Sequence, residues 1–334
     1  MAVFIIAFSN QDLENVWDSL GRLDPVWVGG AFLCWVVYTF FDGMNYFCYL
    51  RRQGFRISLA RSVGIALVGF YYSNITPGAT GGQPMQVNSM RKAGIPVGYG
   101  TMAVTVRFIT NQFMISALSL AAYLIDREFL TEQLQGAMWV VLAGWLMNAA
   151  SVPLVLLAAF KRSWIQKLAG WVIRLLTKMR FVRDPERMMV KVTDVLDTYH
   201  TALNDLLRQP GQIAVQFLMS LVSLMGLMMT PWCVWKALGH SGTPAVHLWA
   251  IACLLYISAS LAPLPGASGA QEGGFLLYYK GIFKPELIGL GLLIWRFFTF
   301  YLYLIVGVFT VIGEKIVVQR EARKRKDDET VTEG

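Results

Sequence analysis

Two short glycine-rich segments carry the residue types that could bind a charged ligand. The sequence PGATGGQ at Pro77–Gln83 matches PGASGAQ at Pro265–Gln271, with five of seven positions identical. In both segments proline ends an incoming helix, and glycine lets the backbone turn and come close to a ligand. A new helix follows, and the N–H groups at its start have no partner within the helix and attract anions. Each segment therefore predicts an anion site.

An arginine follows each segment at nearly the same distance. Arg107 lies thirty residues after Pro77 and Arg296 lies thirty-one residues after Pro265, and each opens a similar tetrapeptide, RFIT or RFFT. At about 1.5 Å per residue, both arginines lie roughly 15 Å deep, near the middle of a hydrocarbon core about 30 Å thick. An unpaired arginine there costs about 3 kcal/mol on insertion scales. The two arginines predict either a shared site for a phosphate-bearing headgroup or a lock between arginine and Glu272.

Glu272 stands at the start of the helix that follows the second segment. Its carboxylate could cap that helix, bind a cationic headgroup or carry a proton, and these alternatives stay open. Together with the glycines and arginines, polar residues around both segments give a candidate substrate-binding set. Its members are Asn74, Thr76, Gly78, Gly81, Gly82, Gln83, Gln86, Arg107, Gly266, Ser268, Gly269, Gln271, Glu272 and Arg296.

These segments lie in a chain of 334 residues that is 55% hydrophobic and 15% charged, whereas soluble domains have about 45–50% and about 25%. The composition indicates a multi-pass membrane protein. Five stretches are long enough to span a bilayer, namely Val26–Leu50, Val97–Ile125, Ala137–Phe160, Gln212–Leu238 and Leu287–Gly313. Shorter apolar stretches form two pairs, each joined by one glycine segment, and predict two re-entrant hairpins. The pairs are Ser62–Ile75 with Met85–Ile95, and His247–Pro263 with Gly273–Phe283.

Charged loops predict the orientation of the chain. Arg51–Arg61 holds four arginines and no acid, Lys161–Lys191 has a net charge of +7, and Arg320–Lys326 in the tail is basic. Residues 126–135 hold three acids and one arginine. Because basic loops stay in the cytoplasm, we expect a cytoplasmic C-terminus, a first hairpin that enters from the cytoplasm and a second that enters from outside. The net charge of +8 then reflects orientation and acidic lipid, which argues against nucleic-acid binding.

Matched segments in opposite orientation predict an all-α, polytopic membrane protein with an inverted-topology repeat, an architecture typical of secondary transporters. The predicted halves are residues 26–160 and 211–313 of a single integral membrane domain, 1–334. A cytoplasmic interfacial linker, 161–210, joins them, and a cytoplasmic tail, 314–334, follows. The alternative is that the duplicated glycines serve close helix packing alone.

Three further segments have membrane-related patterns. Trp164–Met179 carries an apolar stripe flanked by cations, as in a helix that lies on acidic lipid, and Met188–Leu207 repeats the stripe more weakly. A solvated helical linker is the alternative. Met1–Phe8 is apolar but too short to span a bilayer.

The sequence has few signs of catalytic, metal-binding or nucleotide-binding motifs. Its four cysteines lie in apolar stretches without C-x-x-C spacing, its three histidines are far apart, and it has no phosphate-binding P-loop motif. We therefore predict no cofactor, no metal and no catalytic residue.

The glycine segments also carry a resemblance. The sequence SNITPGATGGQPMQ at Ser73–Gln86, followed by Arg91, Lys92 and Gly94, and the stretch Pro263–Gly274 resemble two signatures of the lysylphosphatidylglycerol synthase transmembrane region. This is the flippase-like domain of the bacterial multiple peptide resistance factor. The resemblance implies a bacterial cell-membrane protein that moves aminoacylated phosphatidylglycerol between leaflets. In the family a separate C-terminal soluble domain, where present, transfers the aminoacyl group from tRNA.

This chain departs from the family pattern in several places. Family members usually begin with a further complete span, of which only Met1–Phe8 is present here, so we expect a truncated start. We also expect no soluble synthase domain. Gln83 stands where many members have an acid, which leaves Glu272 as the acid at the two segments.

These observations favour a phospholipid translocase that handles anionic or aminoacylated phosphatidylglycerol. The alternative is a phosphatidylglycerol lysyltransferase that acts with a separately encoded synthase partner, and a third hypothesis is a lipid-anchored scaffold. The expected partners are membrane phospholipid, that synthase and a second copy of the chain.

Overall fold

The computed structural model describes residues 20–160, 167, 170–171, 174, 185–260, 262 and 264–332. Most of the predicted interfacial helix Trp164–Met179, and all of Met1–Phe8, lie outside the described residues. The described chain is all-α, which confirms the predicted fold class. Its α-helices are α1 Pro25–Arg52, α2 Leu59–Ile75, α3 Gly82–Lys92, α4 Val97–Ile125, α5 Arg127–Gln133, α6 Met138–Phe160, α7 Pro185–Leu207, α8 Pro210–Ala237, α9 Ala245–Ala259, α10 Ala270–Tyr278, α11 Ile288–Arg296 and α12 Leu302–Thr332.

Long apolar helices occur where the sequence predicts spans. The helices α1, α4 and α8, and the stretch Ile288–Val317 across α11 and α12, are long and apolar enough to cross a membrane. The remaining predicted span, Ala137–Phe160, forms α6, which begins at Met138 and ends at Phe160. Within the last span a single π-helical turn, Phe297–Tyr301, joins α11 to α12. The protein is thus a multi-pass membrane protein.

The helices α1 and α8 form an antiparallel pair along their whole length. At one end Asp24 N donates to the Ala237 carbonyl at 3.0 Å, and at the other Gln212 Nε2 donates to the Tyr49 carbonyl at 3.3 Å. Polar side chains of this kind fasten helices together where little water competes for them. The pair joins the two halves of the chain.

The helices α2 and α3 form a hairpin that returns to the end where it begins. Arg61 Nη2, near the start of α2, donates to the carbonyl of Lys92, the last residue of α3, at 3.5 Å. Lys92 Nζ in turn lies 3.2 Å from Glu314 Oε2 of α12, and Arg52 Nε at the end of α1 donates to Gln209 Oε1. We call this end of the molecule the basic end.

The helices α9 and α10 form a second hairpin that opens at the other end of α4. His247 Nδ1 at the start of α9 contacts Asp126 Oδ2, directly after α4, at 2.5 Å. Gln133 Nε2 donates to the carbonyl of Lys280, just after α10, at 2.7 Å. The two hairpins therefore open at opposite ends of α4. An inverted repeat requires this arrangement, and the repeat itself stays a prediction.

The predicted linker contributes α7 to the protein core. Tyr199, Leu203 and Leu206 of α7 are buried in one cluster with residues of α1, α2 and α4 at the basic end. Tyr99 of α4 donates from its hydroxyl to Asp205 Oδ2 of α7 at 3.4 Å. The apolar face of α7 thus packs on protein.

Candidate functional site

The two glycine segments fold into the same turn. Gly78 has φ 59° and ψ 23°, and Gly266 has φ 59° and ψ 22°. The following Ala79 and Ala267 also have positive φ, 57° and 50°, which is uncommon for a residue with a Cβ. The glycine at each turn can adopt this left-handed conformation without a steric cost. The two segments therefore share one turn as far as Ala79 and Ala267, and they diverge after it, since ψ is −24° at Thr80 and 141° at Ser268.

Side chains stabilise both turns in matching ways. Thr80 Oγ1 donates to the Pro77 carbonyl at 3.0 Å, and Ser268 Oγ donates to the Pro265 carbonyl at 2.8 Å. The two turns also contact each other. Because each turn is the tip of a hairpin from the opposite end of α4, their contact puts both tips inside the bundle. The prediction of two hairpins that meet within the membrane is consistent with this packing.

A cavity of about 500 Å³ lies between the two turns. Its volume is within the range of small-molecule sites. Aromatic side chains of α1, α2, α9 and α12 form part of its wall, namely Tyr38, Phe70, Tyr256 and Tyr303. From the predicted binding set, the structure brings together on this wall Asn74, Gly78, Gly266, Gln271 and Arg296.

Arg296 reaches the cavity wall but is already bonded within its own half. Its Nε donates to Glu272 Oε1 at 2.6 Å, and its Nη2 also contacts Glu272. Its Nη1 donates to Gln271 Oε1 at 2.7 Å, and Nη2 donates to the Gly266 carbonyl at 3.2 Å. The residue is 1% exposed, and its guanidinium lies 5.2 Å from the Phe300 ring centroid. The lock between arginine and Glu272 is present in this structure.

Glu272 has a second function in the same arrangement. Its Oε2 accepts a hydrogen bond from Gly269 N at 2.6 Å, which caps α10. Of the alternatives that the sequence left open, capping is therefore observed together with pairing to Arg296. A carboxylate with both oxygens engaged, 1% exposed, holds the turn and the arginine as one unit.

Arg107 has a different carboxylate, Asp42 of α1. Arg107 Nε donates to Asp42 Oδ1 at 2.7 Å, and its Nη2 lies 2.6 Å from the same oxygen. The guanidinium lies 5.7 Å from the centroid of Phe70, which lines the cavity, whereas Arg107 is not among the lining residues. The two arginines therefore do not share one carboxylate or one wall.

Sequence reasoning missed Asp42. It lies inside the predicted span Val26–Leu50, and an acid inside an apolar span is by default a functional candidate with a buried partner. That signal was available in the sequence. The identity of its partner depends on which faces of α1 and α4 meet, and this is a property of the tertiary structure.

Several predicted residues build the first hairpin rather than line the cavity. Thr76 Oγ1 accepts from Gly81 N at 2.9 Å and donates to the Tyr72 carbonyl at 2.6 Å. The buried side chain of Gln86 packs on α2 at Gly69. The start of α3 has no side-chain cap. In the same hairpin Gly82 is buried against α2 at Ser73, whereas Gln83 is exposed.

The fold and the site define a class of protein. It is a multi-pass α-helical membrane protein with two opposed hairpins, a central cavity and two ion pairs inside the bundle, of which Arg296–Glu272 is fully buried. The chain belongs to the family described as the lysylphosphatidylglycerol synthase TM region, whose sequence model matches residues 1–307. The resemblance seen in the sequence is thereby confirmed.

Two curated relatives carry the description "UPF0104 membrane protein". The one from Archaeoglobus fulgidus is 25% identical over 321 residues, covering 93% of both chains. The one from Methanothermobacter thermautotrophicus is 19% identical over 333 residues, covering 93% of this chain and 91% of its own. No solved structure matches this chain.

Proposed function

We propose that this protein is a phospholipid translocase that passes an anionic or aminoacylated phosphatidylglycerol headgroup between leaflets through the central cavity. The observation that carries the proposal is the cavity of about 500 Å³ between the two turns, with buried Arg296 on its wall. A cavity with a cation on its wall inside a membrane bundle favours a charged group that must cross the bilayer.

Binding of a phosphate there requires an exchange of partners. Arginine binds phosphate and carboxylate with the same planar fork of donors. A phosphate can therefore replace the contacts that Arg296 makes with Gln271 and the Gly266 carbonyl. The start of α3, which follows the first turn, has N–H groups without a side-chain cap, whereas the start of α10, which follows the second turn, is already capped by Glu272.

We place the basic end in the cytoplasm of a bacterial cell, because basic loops stay inside. The C-terminus then also lies in the cytoplasm, since Glu314 of α12 pairs with Lys92 at that end. A second copy of the chain is a further candidate partner.

Translocation can be measured in liposomes with phosphatidylglycerol that carries a fluorescent acyl chain, by bleaching the outer leaflet. The test variant is the double change Arg296→Gln and Glu272→Gln, which removes both buried charges together and so avoids an unpaired one. The loss of charge-assisted bonds worth about 1.5–3 kcal/mol predicts translocation at least about 10-fold slower.

The matched control is Arg91→Gln with Glu286→Gln, which removes the same two charges from exposed positions and should leave the rate unchanged. A folded double variant that translocates at the wild-type rate would contradict the proposal.

The family description favours one second function, a phosphatidylglycerol lysyltransferase that works with a separate synthase partner. Purified protein incubated with lysyl-tRNA and phosphatidylglycerol, with and without a soluble synthase domain, distinguishes the two. Lysyl-lipid formed by the chain alone would favour the enzyme over the translocase.

A further inference from the structure

The helices α4 and α6 enclose a groove of about 520 Å³, slightly larger than the central cavity between the two turns. Its lining residues come from these two helices and are Phe113, Ser116, Leu120, Trp145, Asn148, Ala149 and Pro153. Most of these side chains are apolar, and the groove is within the size range of small-molecule sites. We call it the α4–α6 groove.

The surface around the groove is suited to lipid. Phe113 and Leu120 of α4 are 52% and 50% exposed, and Leu142 and Leu146 of α6 are exposed as well. Neither residues 108–125 of α4 nor residues 138–160 of α6 include an Asp, Glu, Lys or Arg. Exposed apolar side chains on uncharged helices face the hydrocarbon of a bilayer. The apolar group that is available to fill this groove is therefore an acyl chain of a phospholipid.

Asn148 forms the inner side of the groove, where it is 2% exposed. Its Nδ2 donates to Ser260 Oγ, directly after α9, at 2.8 Å, and to the Gly144 carbonyl at 2.8 Å. Its Oδ1 accepts a hydrogen bond from Gln112 Nε2 of α4. One amide therefore connects α4, α6 and the tip of the second hairpin.

Ser260 belongs to the wall of the central cavity, as Arg296 does. A single side-chain hydrogen bond thus joins a residue that lines the groove to a residue that lines the cavity. One turn earlier the same helices meet through their backbones, since a Cβ on Gly144 would lie 2.3 Å from the Ile257 carbonyl oxygen. A passage at Gly144 would require movement of whole helices, whereas rotation of side chains is sufficient at Asn148.

The depth of this contact fits a headgroup on its way across the bilayer. Asn148 lies ten residues after Met138, where α6 begins, which corresponds to about 15 Å along the helix. This is near the middle of a hydrocarbon core about 30 Å thick. Polar groups at that depth are bonded to protein or face a cavity. Helix fastening alone explains the hydrogen bonds of Asn148, but not its position between two cavities.

We propose that the α4–α6 groove binds an acyl chain of a phospholipid and that Asn148 and Ser260 form the side entrance through which the headgroup reaches the central cavity. The side entrance rests on the proposed function and specifies how the lipid enters. The acyl chain stays in the apolar groove, while the amide of Asn148 turns away from Ser260 and donates to the headgroup phosphate. The amide of Gln112 offers further donors beside it, and Arg296 on the cavity wall takes over the phosphate.

Binding of an acyl chain can be tested without any transport assay. The full chain is reconstituted in liposomes that contain phosphatidylglycerol with a diazirine on an acyl chain, and adducts are mapped by mass spectrometry after illumination. Leu120 should be labelled more than Leu146, which is more exposed, 64% against 50%, but does not line the groove. Labelling of Leu120 equal to or below that of Leu146 would overturn the acyl-chain site.

Adjacent alanines of α6 give a matched pair of variants. Both are exposed, but Ala149 lines the groove and Ala150 does not. Ala149→Trp fills the groove, so it should reduce the labelling of Leu120 and slow translocation of fluorescent phosphatidylglycerol at least about 10-fold, an added barrier of about 1.4 kcal/mol. Ala150→Trp should change neither. Wild-type labelling and rate in Ala149→Trp would contradict the proposal.

The side entrance has a test of its own. Asn148→Leu keeps a side chain of similar size but removes the amide, so Leu120 should remain labelled while translocation slows. The control is Ser119→Ala, which removes another hydrogen bond between α4 and α6, the one that Trp145 Nε1 donates to Ser119 Oγ at 2.8 Å. It should leave the rate unchanged. Equal rates in the two folded variants would mean that Asn148 fastens helices and is no entrance.

Failure of this inference differs from failure of the proposed function. Labelling of Leu120 that Ala149→Trp removes, in a protein that does not translocate lipid, would support the acyl-chain site and contradict the translocase together with its entrance. Translocation that neither Ala149→Trp nor Asn148→Leu slows would support the translocase and overturn the entrance between α4 and α6.

Discussion

The turn at Pro77–Ala79 and the turn at Pro265–Ala267 follow the same backbone path, whereas the arginines of the two halves meet carboxylates of different origin. Arg296 binds Glu272, which lies on the same hairpin as its turn and also caps α10. Arg107 binds Asp42 of α1, outside the first hairpin. The two turns thus share a backbone shape, but the arginine of each half has a carboxylate partner from a different element.

The two arginines are held differently in the two halves of the chain. In the second half, Glu272 ties the turn, the helix start and the arginine together, so none of them moves alone. In the first half, the turn has no carboxylate of its own and its arginine is held by a neighbouring helix. The arginine of the first half is therefore held from outside its hairpin, and the arginine of the second half from within it.

The variant with the largest expected effect on stability is Glu272→Ala. It removes the cap of α10 and leaves Arg296 buried without a charge partner, which should lower the free energy of unfolding by about 4 kcal/mol. Chemical unfolding in detergent micelles measures the change. Adding Arg296→Met should recover most of the loss, since a buried pair replaced by apolar residues is nearly neutral. An exposed control, Glu286→Ala, should change stability by less than about 0.5 kcal/mol.

A second variant pair separates backbone strain from packing within the second turn. Gly266→Ala should cost about 3 kcal/mol, because a left-handed alanine costs about 1 kcal/mol and overlap adds about 2. The new Cβ would lie 2.2 Å from the Phe300 ring. The control outside the turn is Gly239→Ala, which also has a positive φ, 75°, but nothing within 4 Å of its Cβ, so it should cost about 1 kcal/mol. Equal unfolding free energies for the two variants would contradict a packing role of Gly266.

The smallest expected effect on stability comes from the side-chain hydrogen bonds of the two turns, and it tests whether both turns are stabilised equally. Thr80→Ala and Ser268→Ala each remove one side-chain bond to the turn carbonyl, and each should cost about 0.5–1 kcal/mol. The same unfolding measurement should give equal values for both. A difference above about 1 kcal/mol would mean that the turns are stabilised differently despite their shared backbone.

Much of this arrangement could be predicted from sequence, because its signals are local. Proline and glycine at Pro77–Gln83 and Pro265–Gln271 determine both turns, and apolar length predicts the spans and the hairpins. Glu272 three residues after Gly269 has the spacing of a capping interaction, which the sequence offered as one of its alternatives.

The remaining features depend on which helix faces meet. Asp42 could be seen as an acid in an apolar span, but its pairing with Arg107 requires the packing of α1 on α4. The polar face of α8 at Gln212 and Gln216 looks unremarkable until it is opposed to α1. The burial of α7 likewise depends on tertiary contacts, since an amphipathic helix fits lipid or protein equally well.

The π-helical turn at Phe297–Tyr301 also has a consequence for helical phase. One residue inserted into an α-helix rotates everything after it by about 100° about the axis. The side of α12 that meets α2, with Gly307 against Tyr71, is therefore offset from the side that α11 alone would project. The π-helical turn of five residues therefore determines which side of α12 faces α2. Deleting one residue from this turn would rotate α12 and move Gly307 away from Tyr71.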